Sequence, residues 1–217
     1  EHEGSPLQGQ DAAVLAGLPP GNVAHIADEK AALAQADVAI EFSSPQATVA
    51  HARLAAERGI PIVVGTTGLA AADEKTLRNA AERIALVYAA NYSVGMTLLA
   101  DLVRRAASSL GPEFDIEIVE MHHRHKVDAP SGSALMLGRA AAAGRGVTLE
   151  EVAVRGRDGV TGARPQGAIG FAALRGGDVA GDHTVIFAGE GERLELTHRA
   201  SGRSIFARGG IRAALGE

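Results

Sequence analysis

The sequence predicts an α/β protein: a parallel-sheet domain followed by a second, α+β domain on a mostly antiparallel or mixed sheet. Three observations predict it. From about Asp37 to Tyr92 short apolar runs alternate with helical stretches, the order of strands joined by right-handed crossovers. From Phe114 onward the apolar residues recur every second position, the period of half-buried strands. And 217 residues are long for one domain yet short for two complete ones.

Each element has its own signals. Val38-Ala39-Ile40-Glu41-Phe42 reads as a short strand ending at Ser43-Ser44-Pro45. Ser44 is an N-cap with Pro45 at the first helical position, an Ala-rich helix runs to about Arg58, and Gly59 stands where a C-cap glycine belongs. Pro61-Ile62-Val63-Val64 is a buried strand ending at Gly65-Thr66-Thr67-Gly68. A helix over about Ala71–Arg83 puts Leu77, Ala80 and Ala81 on one side, and Ile84–Tyr88 is a third strand ending at Ala89-Ala90-Asn91-Tyr92. Three consecutive strands therefore finish in small or polar residues, along the sheet edge where ligands bind in open parallel sheets. Val94–Leu110 is a helix with Leu99, Leu102, Val103, Ala106 and Leu110 in one stripe, stopped by Gly111-Pro112. Phe114, Ile116 and Ile118 alternate with polar neighbours as a strand, and a helix follows over about Gly132–Ala143. Strands are expected at Ala168–Leu174, His183–Ala188 and Arg193–Arg199, the last two joined by a hairpin turn at Gly189-Glu190-Gly191-Glu192. A final helix starts near Arg203.

Composition removes whole classes. With 46% hydrophobic residues the chain is not of the disordered type, and with no Cys it has neither a disulfide scaffold nor a thiolate metal site. A net charge of −5 argues against nucleic acid or an anionic membrane as partner. Glu1–Gln10 is polar, unlike a signal peptide, and the longest apolar region, Ile84–Val103, is broken by Asn91, Ser93 and Asp101. A soluble, cytoplasmic protein is the expectation.

The most informative segment is Glu120-Met121-His122-His123-Arg124-His125-Lys126-Val127-Asp128-Ala129-Pro130-Ser131-Gly132-Ser133. The 21 basic residues include only three Lys, Lys30, Lys75 and Lys126, and the last stands beside three of the eight His. Crowded positive charge favours the neutral form of a neighbouring Lys and eases deprotonation of a His, which suits acid–base work near neutral pH. Ser131-Gly132-Ser133 opens a helix whose N-terminal N–H groups bind anions. The segment thus reads as a carboxylate or phosphate pocket with a proton donor beside it. Two other readings stand next to it: a solvated basic loop, and a metal site built from His123, His125, His183, His198 and Asp128, against which the interleaved Arg124 and Lys126 would repel a cation. A Ser hydrolase is weaker, because Ser131 has no Gly-x-Ser-x-Gly elbow.

This long motif closely resembles the signature of the dihydrodipicolinate reductase family. So do Val64–Gly68, Ala89–Gly95, and Ile169-Gly170-Phe171 through Arg175-Gly176-Gly177 to His183. The resemblance implies a partial Rossmann-type domain over residues 1–93 and 203–217, N-terminally incomplete, and a substrate-binding and oligomerisation domain over residues 94–202. It implies a reductase of lysine and diaminopimelate biosynthesis that passes a hydride from NADH or NADPH to a cyclic imine dicarboxylate with loss of water. In that reading His122 is the general acid/base and Lys126 the proton donor, His123 touches substrate, and Ser131, Gly132 and Ser133 hold a carboxylate. Gly65, Thr66 and Thr67, with Ala89, Ala90, Asn91 and Tyr92, line the nicotinamide side. Glu1 meets the adenosine ribose, with His2 beside it. His2 and Ser44 stand where many members carry Arg, so NADH is expected to serve at least as well as NADPH. No metal is expected, and a homotetramer is implied. The family's opening Gly-rich unit and C-terminal tail are not in these 217 residues, so this chain alone is expected to bind the cofactor weakly and turn over slowly.

Overall fold

The computed structural model describes residues 4–216; Glu1 and His2, expected at the adenosine end of the cofactor, lie outside them. The chain forms two compact units. One takes in the chain up to Tyr88 together with the last residues from Ala213, the other Ala89–Arg212.

The first unit opens with two short helices, α1 (Ala12–Leu15) and α2 (Glu29–Leu33). Each is started by an aspartate, Asp11 or Asp28, whose carboxylate accepts from N–H groups of the first turn. Strands β1 (Ala39–Glu41), β2 (Ile62–Val64) and β3 (Leu86–Tyr88) then form a parallel sheet in that order, in the register Ile40–Val63–Val87. Central β2 is buried throughout. Helix α3 (Pro45–Arg58) connects β1 to β2, and α4 (Ala71–Ala81) connects β2 to β3. The caps of α3 fall where the sequence puts them: Ser44 Oγ accepts from Ala47 N at 3.3 Å, and Gly59 is left-handed at φ 72°. The buried positions of α3 are Thr48, Ala52, Ala55 and Ala56, small side chains that let the helix sit close against the sheet.

The second unit begins with α5 (Val94–Ser109), capped by Ser93, and β4 (Asp115–His122). After α6 (Gly132–Gly144), α7 (Leu149–Val152) and β5 (Ala153–Val154) come β6 (Ile169–Arg175), β7 (Asp182–Gly189), β8 (Glu192–Arg199) and α8 (Ser204–Ala214). The five strands are ordered β5-β6-β4-β7-β8. The antiparallel part is confined to β4–β7 and β7–β8; β6 joins β4, and β5 joins β6, in parallel. The sheet is mixed because α6 and α7 form a crossover long enough to return the chain in the same direction. The turn between β7 and β8 is the two residues Glu190-Gly191, with Gly191 at φ 79°.

Helices α5 and α6 cover one face of this sheet. Met96, Leu99 and Val103 from α5 and Leu137 and Ala141 from α6 meet Ile116, Ile118, Phe171, Val185 and Phe187 from the strands. Along β4 every second residue is buried: Ile116, Ile118, Glu120 and His122. The two-residue period that places isoleucines in the core therefore places a carboxylate and an imidazole at the end of the same row.

Candidate active site

The site is built on the carboxyl end of β4. Glu120 is 1% exposed and His122 8% exposed, and both face the side that α6 covers. A buried carboxylate is costly unless donors surround it. Glu120 has four. The Arg175 guanidinium donates to Oε2 at 2.7 Å and to Oε1 at 2.8 Å. The Ser131 N–H donates to Oε1 at 3.1 Å, and His122 Nδ1 lies 2.6 Å from Oε2. Burial pushes the carboxyl upward, but the Arg175, His122 and Ser131 hydrogen bonds outweigh it and hold Glu120 below the ordinary carboxylate range. Arg175 is in place because it pairs with His122 across the parallel β4–β6 ladder; it also donates to the Asp128 carbonyl at 2.7 Å.

His183 on β7 pairs directly with Glu120 and is buried. Its ring meets that of His122 edge-on, with centroids 5.1 Å apart at 76°. Nε2 lies 3.1 Å from Ser131 Oγ, and among the described residues Nδ1 has no partner. Burial first, then the neighbouring His122, lowers the pKa of His183 to about 4, so it stays neutral at physiological pH.

Ser131 is the N-cap of α6, its hydroxyl accepting from Ala134 N at 3.1 Å. With His183 on the same oxygen, this buried hydroxyl is committed to holding the turn. Gly132 is exposed and Ser133 half-buried, and N–H groups in the first turn of a helix have no intrahelical partner. Asn91 Nδ2 donates to Ser133 Oγ at 2.8 Å, while Asn91 Oδ1 accepts from Ser93 N at 2.8 Å. Asn91 thereby fixes the segment before α5 against the start of α6.

His123, Arg124 and His125 leave the strand and line an open cleft with Gly177 and Asp178. The Lys126 ammonium sits 2.8 Å from Asp128 Oδ1, and that hydrogen bond is the first cause holding the Asp128 carboxyl low. Residues 122–133 thus bring His122, His123, Lys126 and the start of α6 together in one unit. The metal-site arrangement is not formed: His123 and His125 lie on the loop, His183 faces Ser131, and His198 Nε2 lies 3.2 Å from Ser93 Oγ. Among the described residues no group of three or more His, Asp or Glu is placed to hold a metal ion.

The residues expected near the cofactor fall in both units. In the first, Gly65 packs against the Phe42 ring, where any side chain at 65 would collide with it. Thr67 is exposed, whereas Thr66 is buried with its hydroxyl directed at Glu41 Oε1, 3.5 Å away. Glu41 also takes short contacts from Ser43 Oγ and His51 Nδ1. In the second unit Tyr92 is buried and its main chain lies against Gly209 of α8, where a Cβ would meet the Tyr92 carbonyl. Ala89 and Asn91 are half-buried and Ala90 is exposed. At this parallel strand end Thr67 is the exposed hydroxyl, while the Phe42 ring covers Gly65.

Sequence reasoning left three members of the site without their roles: Glu120, Arg175 and His183. The spacing of Glu120 and His122 already put them on one strand face. The pairing that brings Arg175 and His183 to them is set by register between distant strands.

Known proteins agree with this architecture. The family model described as dihydrodipicolinate reductase, N-terminus, matches residues 1–92, and the one described as its C-terminus matches residues 95–216. A 4-hydroxy-tetrahydrodipicolinate reductase of Rhodopseudomonas palustris is 59% identical over 211 residues, 97% of this chain and 78% of the relative. The one from Parvibaculum lavamentivorans is 58% identical over 215 residues, 99% of this chain and 79% of the relative. Among solved structures, the dipicolinate-bound dihydrodipicolinate reductase from Paenisporosarcina sp. TG-14 superposes with a TM-score of 0.66 at 24% identity. That alignment covers 82% of this chain and 68% of the other, a likeness of fold. By both halves of its sequence the chain belongs to the dihydrodipicolinate reductase family.

Proposed function

We propose that the protein reduces 4-hydroxy-tetrahydrodipicolinate to tetrahydrodipicolinate in lysine and diaminopimelate biosynthesis. The balance is one hydride from NADH or NADPH and one proton taken up, with one water lost. Family membership supports the reaction, and one observation carries the assignment of residues. The Glu120 carboxylate is bonded both to the His122 ring and to the Ser131 N–H, so the acid/base candidate and the anion-binding start of α6 are held by one group.

The dinucleotide, when bound, supplies the hydride. Gly65, Thr66, Thr67, Ala89, Ala90, Asn91 and Tyr92 are the residues we assign to its nicotinamide side, and His2 and Ser44 favour NADH at least as well as NADPH. The Gly132 and Ser133 N–H groups, at the positive end of the α6 dipole, hold one substrate carboxylate, and Ser131 keeps that turn in shape. His123 contacts the substrate from the open cleft. Lys126 carries a proton it can release, as an Arg could not, and its exposed partner Asp128 keeps the ammonium in place until substrate displaces it. His122, as the general acid/base, passes the proton taken from carbon to the departing hydroxyl, a transfer that cancels in the balance, with its ring fixed at Nδ1.

The assembly we assign is a homotetramer in the cytoplasm. Edge strand β8, with Leu194 exposed, offers a second copy a surface. Replacing Lys126 or His122 by Ala tests the site: each should lower turnover by about 10²–10⁴-fold, the span of a lost acid–base group, and near-normal rates in both would sink the assignment.

A further inference from the structure

The outer partners of His122 are more elaborate than packing alone needs. Glu120 meets the ring at Nδ1 with all four of its lone-pair directions in use, two toward Arg175, one toward Ser131 N–H and one toward Nδ1. An ionised carboxylate only accepts, so the proton between Glu120 and His122 belongs to the imidazole nitrogen. That leaves Nε2 as the atom free to exchange a proton. Nε2 points toward Gly181, where an added Cβ would come within 3.0 Å of it. A side chain there would crowd Nε2, and at φ 152° Gly181 also has a backbone that side chains rarely adopt.

We propose that Glu120, locked by Arg175, is a positioning residue for the proton chemistry: it fixes His122 in the tautomer protonated at Nδ1 and presents Nε2 as the exchanging atom. This rests on the reading of His122 as the acid/base. Arg175 has the geometry for the task. Its fork meets both Glu120 oxygens, and its further bond to the Asp128 carbonyl ties the same carboxylate to the loop that carries Lys126. Deleting the charge while keeping the shape should therefore disturb the tautomer more than the fold.

The test uses the protein with Glu120→Gln, read by nitrogen NMR of the imidazoles and by steady-state kinetics. In the unaltered protein neutral His122 should show a protonated Nδ1 and a bare Nε2. In Glu120→Gln it should shift toward the Nε2-protonated form that free imidazole prefers. Turnover should fall by about 10–100-fold, the span known for outer partners of metal-bound histidines, with KM for the dicarboxylate little changed. On a His122→Asn background Glu120→Gln should add little further loss, because a residue acting through another is not additive with it. An Nε2-protonated His122 in the unaltered protein overturns the proposal, and this result needs no variant to fold. So does an unchanged tautomer in Glu120→Gln, or losses that simply add. Normal turnover in His122→Asn would instead defeat the acid/base reading, leaving the tautomer measurement to judge Glu120 separately.

Discussion

His183 should make the second unit acid-sensitive in a defined window. In the folded protein its pKa is depressed from 6.5 to about 4, by burial first and then by His122, with smaller contributions from His198 and Lys126 and an opposing one from Glu120. The unfolded chain binds a proton at this position below about pH 6.5, while the folded chain resists it until about pH 4. Between those values the unfolded state holds more protons, so stability is lost as pH falls and regained as it rises. Between about pH 7 and about pH 5 the linkage amounts to about 2 kcal/mol, at ~1.4 kcal/mol for each pH unit over which the two states differ by one proton. The perturbation is His183→Gln, which removes the titrating ring and keeps an amide able to reach Ser131 Oγ. Unfolding of both proteins, followed by urea at the two pH values, should show the variant losing about 2 kcal/mol less than the parent. In thermal melts that is about 4–8 °C of midpoint. Carboxylates contribute equally to both proteins and cancel; Glu120, with its pKa held low, titrates below this window. Equal pH dependence in parent and variant would refute the argument that burial keeps His183 neutral.

Two further outcomes can be measured. Leu137, fully buried between α5, α6 and the sheet, should cost about 2–5 kcal/mol when cut to Ala, measured by denaturant unfolding; a loss below about 1 kcal/mol would mean that the α6 packing is not as described. If His2 and Ser44 set the cofactor preference as proposed, kcat/KM with NADH should equal or exceed that with NADPH; a large NADPH advantage in steady-state assays would contradict this.

Much of the framework is legible in the residues themselves. Ser44-Pro45 and Gly59 bound α3 because a cap and a left-handed glycine are local needs, and Ser93 and Ser131 begin α5 and α6 for the same reason. The apolar alternation of β4 is visible too, although its last pair, Glu120 and His122, is polar and so hides the strand's true end at His122. Helices α1 and α2 are too short, at four and five residues, to show a period; their aspartate caps are the only local sign. Two-residue β5 is likewise invisible without its partner β6. In the site, His122, Lys126 and the start of α6 could be picked out because they lie within one stretch of chain. Arg175 and His183 could not, since their places follow from β4 pairing with β6 in parallel and β7 in antiparallel register. The hydroxyl of Ser131 reads as a ligand donor in sequence, while the fold has it capping α6 and facing His183.

On the proposed function, this chain delivers hydride to an imine dicarboxylate with protons managed by His122 and Lys126. The most direct measurement of this supplies NADH carrying deuterium at the transferred position and follows the label by mass spectrometry, which detects even slow turnover. Deuterated tetrahydrodipicolinate is expected from the unaltered protein, with yields lower by at least about 100-fold from Lys126→Ala and His122→Ala. Unlabelled product, or equal labelling by all three proteins, would contradict it.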